Sequence, residues 1–181
     1  DELERVEEEI KKLSDDSRRV IEEVRRRLEE SNKDLERRLR EVEKRLKELT
    51  DDIKRTAERN NVDKTLEKKL RELNERNRKS KEDLKRRSDE TRERNDETIR
   101  ESRKENDELE RRVEEASRRG LDRELLRKLL DDVRRVVERN KRKLRKDLED
   151  NKREIERVKR EADKDLEDHE RVIRKLKEDI R

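Results

Sequence analysis

Residues 74–108 read NERNRKSKEDLKRRSDETRERNDETIRESRKENDE, and this stretch decides how the rest of the chain is interpreted. Its residues favour helix, yet its only aliphatic side chains larger than alanine are Leu84 and Ile99. At the spacing where a helix turns its apolar side inward, the stretch carries Asn, Ser and Thr instead. It therefore predicts a helix with a largely polar inward stripe.

The composition leaves two classes of protein open. The chain has 181 residues, of which 23% are hydrophobic and 64% charged. So polar a chain is either disordered or a long helical bundle with a narrow apolar seam. The 60 basic and 56 acidic residues alternate at short range, and no aromatic residue is present. We therefore expect neither nucleic acid nor a membrane as a partner.

Several kinds of chemistry have no residues to support them. There is no cysteine for a disulfide, a thiolate metal site or a nucleophile, and a single glycine cannot form a phosphate-binding loop. Every serine lies in a helical pattern, and paired carboxylates need a pocket to act as acid and base. We expect no enzyme activity, cofactor, metal or small-molecule ligand.

The localisation of the protein stays unknown from its sequence. No run is long and apolar enough to span a membrane, and no signal-peptide core is present. Methionine is missing even at the first position, which is typical of a recombinant chain after tag removal. We expect a soluble protein without a targeting signal.

The first part of the chain predicts one uninterrupted helix, 2–59. Apolar and small residues recur in steps of three and four from Leu3 to Thr56, which marks one stripe of a helix. Residues 31–34 and 50–52 contain N-cap residue types and resemble breaks. The stripe crosses both segments in phase, so we predict that the helix continues through them.

Two short segments punctuate the chain and predict loops at 60–62 and 119–121. Asn tolerates the left-handed conformation that ends helices, and Asp63 can cap the helix that follows. Gly120 stands at a C′ position, and Asp122 caps the third helix. Leu121 and Leu126 are spaced as a hydrophobic staple. The second and third helices are predicted at 63–118 and 122–180.

Three helices of nearly equal length with short connections must fold back on one another. The predicted fold is all-α, an elongated antiparallel up-down-up three-helix bundle with coiled-coil-like packing. We expect a single domain, 1–181, in which each helix is about 85–90 Å long, so that the molecule is a rod.

The polar stripe predicts contacts between helices at matching heights. Counting outward from the two loops places Ser31 level with Asn151, and Asn77 level with Asp165 and within a turn of His169. A buried polar group with a partner is close to neutral, whereas one without costs about 1–3 kcal/mol. The predicted structural polar core is Ser17, Ser31, Asn77, Ser88, Thr91, Asn95, Ser102, Asn106, Asn140, Asn151 and His169. Two alternatives stay open: the middle of the second helix is partly solvated, or it docks on a partner or a second copy.

His169 is the only histidine. Helical spacing brings Asp165 beside it, but a metal site needs several converging ligands. A hydrogen-bonded histidine in the core or at its boundary is the simpler interpretation. Protonation of such a side chain predicts a modest pH response.

Together, the equal helices, the Asp-capped short loops, the charge-saturated faces, the aromatic-free seam and the layered Ser, Thr and Asn resemble de novo designed helical bundles. The similarity is greatest to parametric three-helix bundles with buried hydrogen-bond networks. It implies a structural scaffold without evolved activity, and we expect a monomer while leaving a homo-oligomer open. The alternatives are a helical interaction module that uses the polar face of the second helix, and a natural coiled-coil spacer. The missing aromatics weigh against the spacer.

Overall fold

The computed structural model describes residues 2–60, 62–120 and 122–180. Of these residues 97% are helical, and they form three helices and no strands, with contacts among all three helix pairs. The helices are α1 (Glu2–Arg59), α2 (Lys64–Arg119) and α3 (Arg123–Ile180), each within one residue of its predicted bounds. The predicted all-α three-helix bundle is confirmed.

Aspartates cap the starts of α2 and α3. Asp63 Oδ1 accepts a hydrogen bond from the backbone N–H of Leu66 at 2.8 Å. Asp122 Oδ1 accepts one from the N–H of Leu125 at 2.9 Å. Each carboxylate satisfies a donor that the first turn leaves without a helical partner, so both predicted N-caps are confirmed.

The two connections end their preceding helices differently. Gly120 has φ +62, the left-handed conformation that glycine adopts without strain and that was predicted after α2. Asn60 does not use that conformation. Its side-chain Nδ2 instead donates to the Thr56 carbonyl oxygen at 2.9 Å. Asn61, and Leu121 of the predicted hydrophobic staple, lie outside the described residues.

The chain forms two compact units, each built from segments of all three helices. Unit 1 comprises Asp1–Glu30 and Arg92–Lys152, and unit 2 comprises Ser31–Thr91 and Arg153–Arg181. Each unit has its own apolar clusters, and α2 supplies few of their members. Ile99 packs in unit 1 with Ile21, Val24, Leu28, Leu144 and Leu148. Leu84 packs in unit 2 with Leu35, Val42, Leu46, Ile155, Val158 and Ala162.

Ion pairs between α1 and α3 keep one sequence separation in both units. In unit 1 the pairs are Glu9–Arg134 and Asp16–Lys141, and in unit 2 they are Asp34–Lys159 and Asp52–Lys177. Every one of them joins residues 125 positions apart. The two helices therefore run parallel within each unit. Hydrogen bonds from the paired lysines lower the pKa of Asp34 and Asp52.

The same residues show how the contact stripe of α1 repeats. Asp16, Asp34 and Asp52 are spaced eighteen residues apart. Eighteen residues equal five turns of a regular α-helix at 3.6 residues per turn, whereas a heptad repeat averages 3.5. These three aspartates therefore lie on one side of α1.

The small number of apolar side chains on α2 makes each of them costly to remove. Leu84 is 6% exposed, so Leu84→Ala should lower the free energy of unfolding by about 2–5 kcal/mol. The matched control is Leu125→Ala, because Leu125 is 45% exposed and its truncation should change stability by at most about 0.5 kcal/mol. Urea unfolding followed by circular dichroism checks both values. Equally small effects would show that the middle of α2 is solvated.

Candidate functional site

The most unusual feature of the described residues is the set of polar side chains buried between the helices. The structure buries Ser17, Ser88, Thr91, Ser102, Asn106, Asn140, Asn151 and His169, and it leaves Ser31, Asn77 and Asn95 half-buried. These polar side chains divide between the two units.

The polar core predicted from the sequence omitted three residues of α1. Ser14, Asn32 and Thr50 are only 9%, 5% and 6% exposed. The sequence pattern marks Thr50 only as part of a segment that resembles a helix break, and it places Leu13 instead of Ser14 on the apolar stripe. The three residues are spaced eighteen apart, like the aspartates of the ion pairs. That five-turn recurrence is the sequence signal that could have found them.

In unit 1 an amide pair joins α2 to α3. Asn95 Nδ2 donates to Asn151 Oδ1 at 3.0 Å. Asn106 lies eleven residues further along α2, and Asn140 lies eleven residues earlier in α3. Because the two helices are antiparallel, the register that pairs the first two asparagines also places the second two opposite each other.

The second asparagine pair has complementary free atoms. Asn106 Oδ1 and Asn140 Nδ2 are both buried without a hydrogen-bond partner among the described residues. One is an acceptor and the other a donor, so their hydrogen-bonding capacities are complementary. An unpaired buried group of this kind costs about 1–3 kcal/mol. The two asparagines therefore have a strong energetic reason to pair.

A second polar contact in unit 1 joins α1 to α2. The Ser14 hydroxyl donates to Glu110 Oε1 at 3.2 Å, and Asn106 Nδ2 approaches the same oxygen at 3.4 Å. Arg18 forms an ion pair with the other carboxylate oxygen, and its hydrogen bond with Glu110 raises the pKa of Arg18. Glu110 thus gathers donors from α1 and from its own helix.

In unit 2 the polar contacts involve all three helices. Asn77 Nδ2 donates to Thr50 Oγ1 at 3.4 Å, which joins α2 to α1. The Ser80 hydroxyl donates to Asp165 Oδ2 at 2.5 Å, which joins α2 to α3. Asn77 precedes Ser80 by three residues and His169 follows Asp165 by four, so the antiparallel register places Asn77 opposite His169. Thr50, Asn77 and His169 are called the histidine layer below.

This register differs from the one predicted by counting residues from the loops. The prediction placed Asn77 level with Asp165, but Asp165 accepts its hydrogen bond from Ser80, about one turn further along α2. In unit 1 Asn151 is bonded to Asn95, whereas the count placed it level with Thr91, one turn earlier in α2. Such a count ignores the distance that the connecting segment itself covers along the helix axis. Neglecting that distance displaces the predicted partner by about one helical turn.

Thr91 is satisfied without a partner on another helix. Its hydroxyl donates to the carbonyl oxygen of Arg87, four residues earlier, at 2.9 Å. Thr50 does the same with Leu46 at 2.8 Å. A threonine can make this bond in any helix, so it tolerates burial but contributes less to register than asparagine does.

His169 is the titratable group at the centre of the histidine layer, and it is 2% exposed. Burial lowers its pKa below the ordinary value of 6.5, and the positive charge of Arg76 acts in the same direction. The backbone carbonyls of Asp165 and Leu73 and the Asp165 charge oppose that shift. The neutral ring is therefore the favoured form at neutral pH.

Metal-binding clusters and membrane spans are both absent from the described residues. None of these residues forms a group of three or more His, Cys, Asp or Glu side chains that could hold a metal ion. No described helix has a stretch both long and apolar enough to cross a membrane. A groove of about 790 Å³ runs between α1 and α2 in unit 2, and the buried side chains of Val42, Leu46 and Leu84 are among its lining.

Comparison with known proteins found no relative: no family model, no curated protein and no solved structure matches the chain.

The two asparagines with complementary free atoms predict a coupled response to substitution. Asn106→Leu or Asn140→Leu alone should lower the free energy of unfolding by about 1–3 kcal/mol, because each removes the partner that the register offers to the other amide. The double variant Asn106→Leu/Asn140→Leu should cost less than either single change, since no buried amide is left alone. Urea unfolding of the four proteins gives the coupling energy. Simple additivity of the two single effects would contradict the pairing.

Proposed function

We propose that this chain is a designed structural scaffold, whose buried amides and hydroxyls select one pairing and one register of its helices. The observation that carries the proposal is the asparagine pair of unit 1, in which two polar side chains within the bundle meet at 3.0 Å. Catalysis and ligand binding have no role in it. In this proposal, the function of the sequence is to form one defined arrangement of its helices.

Residue choice and regularity support a designed origin. Phe, Tyr, Trp, Met, Cys and Pro are all missing from the 181 residues, whereas natural usage would supply roughly ten or more aromatics and several prolines. The ion pairs between α1 and α3 repeat the separation of 125 residues in both units. Natural chains rarely combine so restricted an alphabet with so constant a spacing.

The polar contacts are proposed to work as hydrogen-bond networks that discriminate against wrong pairings. Apolar side chains pack acceptably in many registers, because their attraction has no direction. An amide displaced by one turn loses its partner and keeps the cost of burial. Polar side chains at a few heights therefore raise the free energy of every misaligned arrangement more than that of the correct one.

A second candidate function is an interaction module that pairs with another helix or a second copy through α2. The groove between α1 and α2 in unit 2 favours it, because polar residues of α2 lie beside an apolar floor there. Against it stands the small apolar area on offer, since the floor residues Val42, Leu46 and Leu84 are already 6% exposed or less.

Light scattering coupled to size-exclusion chromatography separates the two functions. The scaffold should have the 22.5 kDa mass of one chain at every concentration tested, because its polar contacts join helices of the same chain. A dimer that Leu39→Lys returns to monomer would contradict the scaffold and establish the groove as an interface, since Leu39 lines it. Leu125→Lys, at an exposed leucine outside the groove, is the control.

A further inference from the structure

His169 is buried in a position that disfavours a charged ring. The ring is 2% exposed, and Nδ1 lies 3.2 Å from the carbonyl oxygen of Asp165. A carbonyl oxygen only accepts, so Nδ1 carries the proton of the neutral ring. Nε2 is then the basic atom, and it is buried without a hydrogen-bond partner among the described residues. Protonation of His169 would place the new proton and the charge at that atom.

The neighbours of His169 on α3 and α2 offer little compensation for a charge. The Asp165 carboxylate already accepts the hydroxyl proton of Ser80 at 2.5 Å. Asp168 faces Arg76 at 3.8 Å and Arg171 at 3.7 Å. Arg76 is itself positive, so it repels an imidazolium. The carbonyl of Leu73 is the remaining acceptor near the ring, and its effect is smaller than that of burial.

The α1 side of the layer is also committed to other contacts. The Thr50 hydroxyl donates to Leu46 and accepts from Asn77. Arg45 of α1 lies 3.8 Å from Glu170, the residue that follows His169 in α3. That pair neutralises itself. The negative charge of Asp165 favours a protonated His169, but its effect is smaller than that of burial and than the opposing effect of the Arg76 charge.

We propose that the histidine layer is a pH-sensitive latch, in which protonation of His169 loosens the packing of unit 2. Unit 1 contains no histidine, so its polar contacts have no equivalent response. Asn151, eighteen residues earlier in α3, shows that an uncharged polar side chain serves the corresponding position there. The inference concerns regulation of the fold and does not depend on the scaffold proposal.

The direction of the pH effect follows from the lowered pKa of His169. Above the ordinary value of 6.5 the ring is neutral in the folded and the unfolded chain, and the full stability of unit 2 is present. As the pH falls below 6.5, the unfolded chain takes up the proton first, and stability is lost until the folded pKa is passed. Each pH unit between the two pKa values favours opening tenfold.

The test uses the full chain and its single histidine. The ring resonances in a nuclear magnetic resonance titration report only His169, and their midpoint should lie below 6.5. Amide hydrogen exchange, corrected for intrinsic rates, should show unit 2 losing protection between pH 7.5 and pH 5 relative to the His169→Asn variant. That control keeps every carboxylate, so general acid effects cancel.

Two results would overturn the proposal. One is a titration midpoint at or above 6.5, which wild-type protein alone decides even if the variant folds poorly. The other is an equal pH dependence of protection in unit 2 for wild type and His169→Asn. A loss of protection confined to unit 1 leads to the same conclusion, because unit 2 then shows no response that depends on His169.

Discussion

A polar side chain taken out of water needs a partner, and this requirement constrains the whole bundle. With so few aliphatic residues in the middle of α2, much of its inward surface is amide or hydroxyl. Each such group costs about 1–3 kcal/mol if left alone, which is a large fraction of the stability of a typical domain. An alignment of the helices that brings buried amides on different helices to the same level therefore has a lower free energy than one that separates them.

The apolar and ionic contacts are compatible with the helix alignment that the polar contacts require. Leu84 and Ile99 each bring α2 into an apolar cluster supplied mainly by α1 and α3. Exposed ion pairs contribute modestly to stability, but the constant offset of 125 residues makes them consistent with one register of α1 against α3. Apolar burial supplies the driving force for folding. The proposed role of the polar and charged contacts is to select one arrangement of the helices.

Local signals in the sequence were sufficient to predict the helices and their caps. They were insufficient to predict which residues of different helices lie at the same level. Asp63 and Asp122 act on the first turn that follows them, so their role depends on a few neighbouring residues. The partner of Asn77 depends on how far the connection lifts one helix against the next, which no local pattern encodes. Thr91 shows a different limit, because its hydroxyl satisfies itself within its own helix and a buried position need not have a partner elsewhere.

The contact between Asn95 and Asn151 is the most direct test of aligned polar pairing. Nuclear Overhauser effects from the Asn95 side-chain amide protons measure which residue of α3 lies beside it. The account predicts effects to the Asn151 side chain and slow exchange of those amide protons with water. Effects to Asp147 or Ile155, one turn away on either side, or exchange as fast as in a free asparagine, would contradict it.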